Sequence, residues 1–215
     1  MTNIAGKAYA MNVLTPSNPK ITWINRLLFM AARGMPERLF GLLGLSLIHF
    51  ARWVIIKPDQ WPDLGQGKQK IKNDYMLFCS NFNGTWDQYI DAFSDGIPNG
   101  LNLFWFSATK YPLSIPITPF KTYITHNQVA TDYYYNATPG AAQRDIKTSL
   151  RVYDAVLKLE AAHETQSPEE FAKTYRKALG DVQIGLGDAG FGPVASLSTE
   201  RADLNRGDFI ANSKA

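Results

Sequence analysis

The sequence predicts an α+β protein in which helices cover an antiparallel sheet. The clearest observation is a buried strand, Tyr75 to Phe82, followed at once by residues at i, i+3, i+4 and i+7, the spacing of one helical face: Trp86, Tyr89, Ile90 and Phe93. Thr85 and Gln88 have the spacing of a capping box, which predicts that a helix begins after Thr85. A strand therefore passes directly into a helix.

The first half of the chain gives a strand, a helix and a second strand. The short apolar run Tyr9 to Leu14 predicts the first strand, and we expect the Pro-rich residues 15–19 to end it. Helical spacing runs from Trp23 to Leu43, with a break near Gly34–Pro36. The β-branched and aromatic run Leu45 to Ile56 predicts the second strand.

The middle of the chain completes a six-element pattern. Residues 58–74 are polar and form a long loop before the strand at Tyr75. The helix Thr85 to Asp95 is followed by glycines and a proline, and then by Leu101 to Ser107, which we interpret as a fourth strand. The order β-α-β-β-α-β is that of the ferredoxin-like fold, in which two helices cover one face of a four-stranded antiparallel sheet.

A helical extension follows the sheet. Residues 141–162 have apolar and charged residues on separate helical faces, and Ser167–Pro168 predicts the start of a last helix that reaches about Leu179. We therefore predict a ferredoxin-like α+β domain with its connector over residues 1–136, a helical extension over 137–180 and a flexible tail over 181–215.

Composition excludes several classes of protein. The 22 basic and 19 acidic residues are scattered along the 215-residue chain, without the dense basic stretch that nucleic-acid binding requires. The single cysteine, Cys79, cannot form an internal disulfide, which favours a cytoplasmic location. The apolar runs are shorter than the roughly 20 residues that span a bilayer, so we expect no transmembrane helix.

A resemblance to a known superfamily rests on element order and on two motifs. The motifs are HFARWV at His49 to Val54 and LFCSNFNGTWDQYIDAF at Leu77 to Phe93. The predicted order over Ala8 to Asn136 resembles the dimeric α+β-barrel superfamily. The two motifs look like an uncharacterised bacterial family, and more distantly like the ferredoxin-like halves of dye-decolourising peroxidases. The resemblance implies a homo-oligomer in which two sheets meet through their uncovered faces.

Haem is the cofactor that the distant resemblance brings into consideration. The peroxidases carry a G-x-x-D-G motif that supplies a distal aspartate. The nearest glycine pair here is Gly96-Ile97-Pro98-Asn99-Gly100, with asparagine in place of the acid. No motif therefore supports haem, and the cofactor stays unassigned.

Two histidines are the candidate catalytic residues. His49 lies on the second strand, with Ala51 and Trp53 on the same predicted face, and His126 lies in a more polar segment. Either imidazole could act as a general base, with Arg52 or Lys121 as the partner of an anion. The alternative for His49 is a hydrogen-bonded histidine of the core or of an interface.

The candidate ligand-binding set contains these two cations and five further residues: Arg52, Asn81, Asn83, Trp86, Trp105, Lys121 and Tyr123. Asn81 and Asn83 precede the helix at Thr85, whose first N–H groups could hold an anion, although both side chains could instead close the turn locally.

Other patterns have a structural interpretation. The three histidines and the lone cysteine lack the spacing of a zinc site, so no metal is predicted. Asp87, Asp91 and Asp95 are interpreted as the solvated side of a helix. The G-x-G-x-x-G pattern at Gly185 to Gly190 lacks a surrounding β-α-β unit and is interpreted as part of the flexible tail.

Two functional hypotheses follow from these observations. The first is a dimeric α+β-barrel protein that binds a small, largely apolar ligand between its sheet and the segment after residue 107, with oxidoreductase-like chemistry as an extension. The second is a non-catalytic subunit of a larger or membrane-associated assembly. Its peripheral contact would be the apolar, basic segment 21–44, in which Leu27, Leu28 and Phe29 lie near Arg26, Arg33 and Arg38.

Overall fold

The computed structural model describes residues 3–34, 47–67 and 70–183. Two sequence predictions lie wholly outside these residues, and a third lies mostly outside them. The first two are the second piece of the first helix, from Pro36 to Leu43, and the glycine pattern at Gly185 to Gly190. The tail predicted from residue 181 also lies outside them, apart from its first three residues.

The protein is an α+β protein with a five-stranded antiparallel sheet. The strands, in chain order, are β1 Ile4–Ala5, β2 Ala8–Ser17, β3 Ile48–Ile56, β4 Asp74–Asn83 and β5 Gln128–Val129. The sheet order is β1-β2-β4-β3, and β5 pairs with β2 at Asn12 and Val13. Because β4 is antiparallel to both β2 and β3, these two strands run parallel to each other on either side of it.

Six α-helices surround or extend the sheet in the described ranges. They are α1 Thr22–Gly34, α2 Trp86–Gly96, α3 Pro98–Trp105, α4 Ile117–Asn127, α5 Gln143–Thr165 and α6 Pro168–Val182, with a short 3₁₀ turn at Pro58–Gln60. The described ranges hold no helix with the length and apolar character needed to cross a bilayer.

Capping predicted two of the helix starts correctly. The hydroxyl of Thr85 accepts a hydrogen bond from the Gln88 N–H at 3.1 Å, and the Gln88 side chain returns a bond to the Thr85 N–H at 3.2 Å. Ser167 and Glu170 make the same reciprocal pair at the start of α6. The box at α2 therefore gives partners to the N–H groups of Thr85 and Gln88.

The predicted fourth strand, Leu101 to Ser107, is wrong: most of it belongs to α3. Pro98 begins this helix, where a missing N–H costs nothing. Leu101, Phe104 and Trp105 then lie at i, i+3 and i+4 on one buried face. A short apolar run fits a buried strand as well as a buried helix, and periodicity alone did not separate them. The complete ferredoxin-like order is thus not confirmed. In place of a fourth long strand, β1 and β5 pair with the edge of β2 that faces away from β4.

The strand predicted at Tyr9 to Leu14 corresponds to β2 and is longer than predicted. It passes through Thr15, Pro16 and Ser17 instead of ending before the prolines. The carbonyl of Pro16 accepts a hydrogen bond from the Thr109 N–H at 2.8 Å, so the backbone polar groups of Pro16 point away from β4. The missing N–H therefore costs the β2–β4 ladder no hydrogen bond. This extension carries the end of β2 to the segment that follows α3.

The core lies between one face of the sheet and helices α2, α3 and α4. Phe82 is fully buried between two rings, with centroid distances of 5.0 Å to Tyr9 and 3.7 Å to Tyr89. A second aromatic group joins β3 to α3, where Trp53 stacks on Phe104 at 4.6 Å. Large rings contribute most of the burial and hold the helices on the sheet.

Candidate functional site

A cleft of about 720 Å³ opens at the end of β2. Its walls come from β2, from the segment just after α3 and from α4. The lining residues are Pro16, Thr109, Lys110, Pro112, Thr118, Pro119, Thr122, Tyr123, His126 and Asn127. The cleft thus lies between the sheet and the segment after residue 107.

The position of the cleft follows from backbone contacts and from the two faces of α4. Ser17 and Ala108 form an isolated antiparallel bridge, which fixes the segment after α3 against the end of β2. Phe120 and Ile124 on α4 are buried in the core. Residues 118, 122 and 126, spaced four apart on another side of the same helix, line the cleft.

The lining combines an apolar wall with polar groups. Three prolines and the ring of Tyr123 provide apolar surface, and three threonines provide hydroxyl groups. Lys110 contributes an ammonium group, and His126 an imidazole. Such a mixture suits a ligand with an apolar body and a polar or anionic end.

Tyr123 lines the cleft and also connects α4 to the segment after α3. Its hydroxyl donates a hydrogen bond to the Thr109 carbonyl at 3.2 Å, and its ring meets the ring of Tyr111 edge-on at 5.7 Å. Burial raises the pKa of Tyr123 to about 12. The phenol therefore stays protonated at neutral pH and acts as a hydrogen-bond donor.

His126 is the candidate base that lies in the cleft. It occupies the last turn of α4, and its Nδ1 lies 2.9 Å from the Thr122 carbonyl. If Nδ1 carries the proton in this contact, Nε2 is the acceptor nitrogen of the neutral ring. The sequence prediction of this residue as a site residue stays a prediction, but its place on the cleft wall is compatible with it.

His49 lies at the opposite end of the sheet. A β-bulge between Ile48 and Phe50 interrupts the strand alternation, so Ile48 packs on the core beside Ala51 and Trp53. The prediction that simple alternation places His49 with Ala51 and Trp53 did not allow for this bulge. Along β2, the Ala8 end near Asn83 and the Pro16 end at the cleft are eight residues apart, or about 26 Å. The two histidines do not form one site.

The surroundings of His49 favour its neutral form. Burial lowers the pKa of His49, and a hydrogen bond with the Asn83 side chain only partly opposes this. Its Nε2 is buried without a hydrogen-bond partner among the described residues. This environment is compatible with the alternative interpretation, a hydrogen-bonded histidine of the core or of an interface.

The lowered pKa predicts a pH-dependent stability. As the pH falls below the ordinary value of 6.5, the unfolded chain binds a proton at His49 before the folded protein does, so the free energy of unfolding falls. The loss ends once the pH is below the folded-state pKa. We expect the urea midpoint to drop between pH 7.5 and pH 5.5, and to drop less in His49→Gln than in the control His163→Gln. An equal drop in both variants would contradict the prediction.

Lys121 forms ion pairs with two aspartates on the surface of α2. Its Nζ lies 2.7 Å from Asp91 and 3.1 Å from Asp87. Burial alone would lower the pKa of Lys121, but the hydrogen bonds and charges of the two carboxylates outweigh it and raise the pKa. The proposed anion partner is thus engaged by two carboxylates, and two aspartates of the solvated series have a cationic partner.

The polar residues at the end of β4 make long-range contacts. The Asn81 amide donates a hydrogen bond to the Tyr134 hydroxyl. The Asn83 amide donates to the Lys7 carbonyl at 2.7 Å, and its oxygen accepts from the Gln143 N–H at 2.8 Å. These two side chains tie β4 to distant segments instead of closing the turn locally.

The remaining predicted ligand-binding residues are spread over the molecule. Trp86 is buried, and its indole N–H donates to the Gln128 side chain at 2.8 Å. Trp105 is also buried, in the aromatic core. Arg52 is exposed on β3. Of the seven predicted ligand-binding residues, Tyr123 is the one that lines the cleft.

Lys110 and the threonines of the cleft were not among the sequence predictions. Residue spacing offered one signal, since Phe120 and Ile124 at i and i+4 indicate a helix whose other side carries Thr118 and Thr122. Lys110 offered none, because its place depends on a left-handed backbone with φ of 59°.

Within the described parts of the chain, no three side chains of histidine, cysteine, aspartate or glutamate gather as metal ligands would. The chain matches no protein-family model, no curated protein and no solved structure.

Proposed function

We propose that this protein binds a small, largely apolar molecule with one anionic group in the cleft between β2 and α4. The observation that carries the proposal is the lining of the cleft, in which three prolines and Tyr123 surround a space with Lys110 and His126 at its wall. A space of about 720 Å³ is within the range of small-molecule sites in proteins.

The apolar part of the ligand supplies most of the binding free energy, and the cation supplies selectivity. Burying apolar surface contributes about 25 cal/mol per Å², without preference for any orientation. An ammonium group at Lys110 favours a carboxylate end over a neutral one. Hydrogen bonds to charged groups contribute about 1.5–3 kcal/mol, and less where the charge is exposed to solvent, as at Lys110. The cleft therefore suits amphipathic acids.

Binding is proposed here without an assigned reaction. His126 lines the cleft, whereas the other candidate base, His49, lies at the far end of the sheet. Of the two alternative bases, His126 is therefore the one placed to meet a ligand in the cleft. The oxidoreductase-like extension and the dimer through uncovered sheet faces stay hypotheses. The placement of β4 between the parallel strands β2 and β3 is compatible with a split β-α-β arrangement and bears on neither of them.

Calorimetry with two matched probes tests the proposal. Decanoate has a carboxylate end, and decanol has a neutral end of similar length. We expect the full chain to bind decanoate, and Lys110→Gln to weaken decanoate binding about five- to tenfold, as a loss of about 1–1.4 kcal/mol requires. Decanol binding should stay unchanged. The control Lys173→Gln, on exposed α6, should affect neither probe. Equal loss of both probes in Lys110→Gln, or no binding of either, would contradict the proposal.

A second candidate function, peripheral membrane contact, is favoured by the outer face of α1. Trp23, Leu27 and Met30 lie at i, i+4 and i+7, and they are 57%, 50% and 62% exposed. Arg26 and Arg33 lie along one edge of this stripe, and the helix contains no acidic residue. An exposed aromatic and apolar stripe edged by arginines is typical of a helix that lies in a membrane surface.

The neighbourhood of α1 adds to this surface. The Asn25 amide donates to the Phe104 carbonyl at 2.8 Å, which places the end of α3 beside α1. On α3 and just after it, Leu103 and Phe106 are 39% and 38% exposed. Two adjoining helices thus present apolar side chains to solvent.

Flotation with vesicles separates this candidate from the cleft. If α1 binds membranes, the protein floats with phosphatidylglycerol vesicles, and the double variant Trp23→Ser/Leu27→Ser does not. The control Leu64→Ser, at a residue 87% exposed in a loop, should float normally. Failure of the unmodified protein to float, or flotation of the double variant, would overturn the membrane candidate and leave the cleft untouched.

A further inference from the structure

The outer face of α5 carries an apolar stripe that is open to solvent. Four side chains recur at i, i+4, i+7 and i+11: Ile146, Leu150, Tyr153 and Leu157. They are 38%, 61%, 61% and 45% exposed, and the adjacent Val156 is 54% exposed. Contiguous exposed apolar surface of this kind is uncommon in monomers and marks an interaction surface.

The hairpin with α6 does not use this stripe. The groove between α5 and α6 has an apolar floor of Ala155 and Leu159 on α5 and of Ala178 and Val182 on α6. Charged residues of α5 also line it, among them Asp154, which lies on the side of Ala155 toward the stripe. At 100° per residue, Ile146 and Tyr153 point to the side of the helix opposite Ala155. The stripe is therefore a second apolar face on a helix whose first face is already packed.

The stripe has the spacing of a helix–helix seam. In a seven-residue repeat, Ile146 and Tyr153 take the d positions, and Leu150 and Leu157 take the a positions. In an antiparallel pair of identical helices centred between residues 151 and 152, Leu150 of each copy meets Tyr153 of the other. Ile146 of each copy then meets Leu157 of the other, so every apolar residue of the stripe has an apolar partner.

The charges beside the stripe fit the same antiparallel arrangement. Lys147 and Asp154 both take e positions, seven residues apart. In an antiparallel pair, the e positions of the two copies face each other, so Lys147 of one copy lies opposite Asp154 of the other, and the two-fold axis makes this contact twice. A parallel pair instead places Asp154 beside Ser149 and Lys147 beside Ala142 of the other copy, and neither of these carries a charge.

We propose that the outer face of α5 is a self-association surface, on which a second copy of this chain pairs antiparallel through Ile146, Leu150, Tyr153 and Leu157. The pair buries the stripe and sets Lys147 against Asp154 across the axis. This surface is separate from the cleft and from the face of the sheet, so ligand binding and self-association are independent properties.

Sedimentation equilibrium of the full chain over a range of concentrations tests the proposal. We expect a monomer–dimer equilibrium, and we expect Leu150→Glu to raise the dissociation constant at least tenfold, because it places two charges in an apolar seam. Leu150 is 61% exposed, so at a concentration where both proteins are monomeric this variant should keep the urea midpoint of the unmodified protein. The control Leu64→Glu, in a loop, should leave dimerisation unchanged.

Charge reversal tests the orientation. Lys147→Glu and Asp154→Lys should each weaken the dimer several-fold, because each replaces two opposite-charge contacts across the axis by two like-charge contacts. The double variant restores both contacts with their signs exchanged, so its dissociation constant should return to near the original value. A chain that is monomeric at every concentration, a dimer that tolerates Leu150→Glu, or a double variant without recovery would overturn the proposal. Loss of vesicle binding on Leu150→Glu, in a monomeric protein, would overturn it in favour of a membrane.

Discussion

Phe82→Ala is expected to destabilise the fold by about 3–5 kcal/mol, the usual cost of removing a fully buried phenylalanine. Phe82 is completely buried and stacks on Tyr9 and Tyr89, so its removal separates two rings that join β2 to α2. Because domains have only about 5–15 kcal/mol of stability, a large part of the total is lost. Urea unfolding followed by circular dichroism measures the change.

Phe50→Ala is the matched control for Phe82→Ala. Phe50 is also a strand phenylalanine, but it directly follows the bulge in β3 and is 50% exposed. We expect a cost below about 1 kcal/mol, since little apolar surface is buried there. Equal costs for the two variants would show that the core does not lie between the sheet and α2.

Thr122→Trp is expected to fill the cleft and to weaken decanoate binding more than tenfold. Thr122 lies on the cleft side of α4 between Thr118 and His126, and an indole at this position fills the space that the ligand needs. The residue is exposed, and its hydroxyl bonds only to the carbonyl one turn earlier, at 3.0 Å. The fold should therefore tolerate the change, and calorimetry reports the affinity.

Thr165→Trp controls for the chemistry of this substitution. Thr165 is also an exposed helical threonine whose hydroxyl bonds to the carbonyl one turn earlier, at 3.2 Å, but it lies at the end of α5. Decanoate binding should be unaffected. If Thr122→Trp binds decanoate as tightly as Thr165→Trp does, the ligand does not occupy the cleft.

Local signals predicted the elements that depend on neighbouring residues. The capping boxes at Thr85 and Ser167 required only residues three positions apart, and both begin helices as expected. The strand at Tyr75 and the long helix near residue 143 were also evident from periodicity. The α+β class followed from these elements.

Contacts between distant segments could not be predicted in the same way. The helical character of Leu101–Trp105 depends on packing against the sheet, because its composition suits a strand equally well. The strand through Pro16 depends on an acceptor contact with Thr109. The separation of His49 from His126 and the presence of Lys110 in the cleft required the topology of the sheet.

The most direct test of the central claim is a ¹H–¹⁵N NMR titration of the full chain with decanoate. If the cleft is the ligand site, the largest and saturable shifts occur at the amides of Thr109, Lys110, Thr122 and His126, and the amides of α1 and α5 change little. Shifts concentrated at Trp23 and Leu27 on α1, or no saturable shifts in the cleft, would contradict the account.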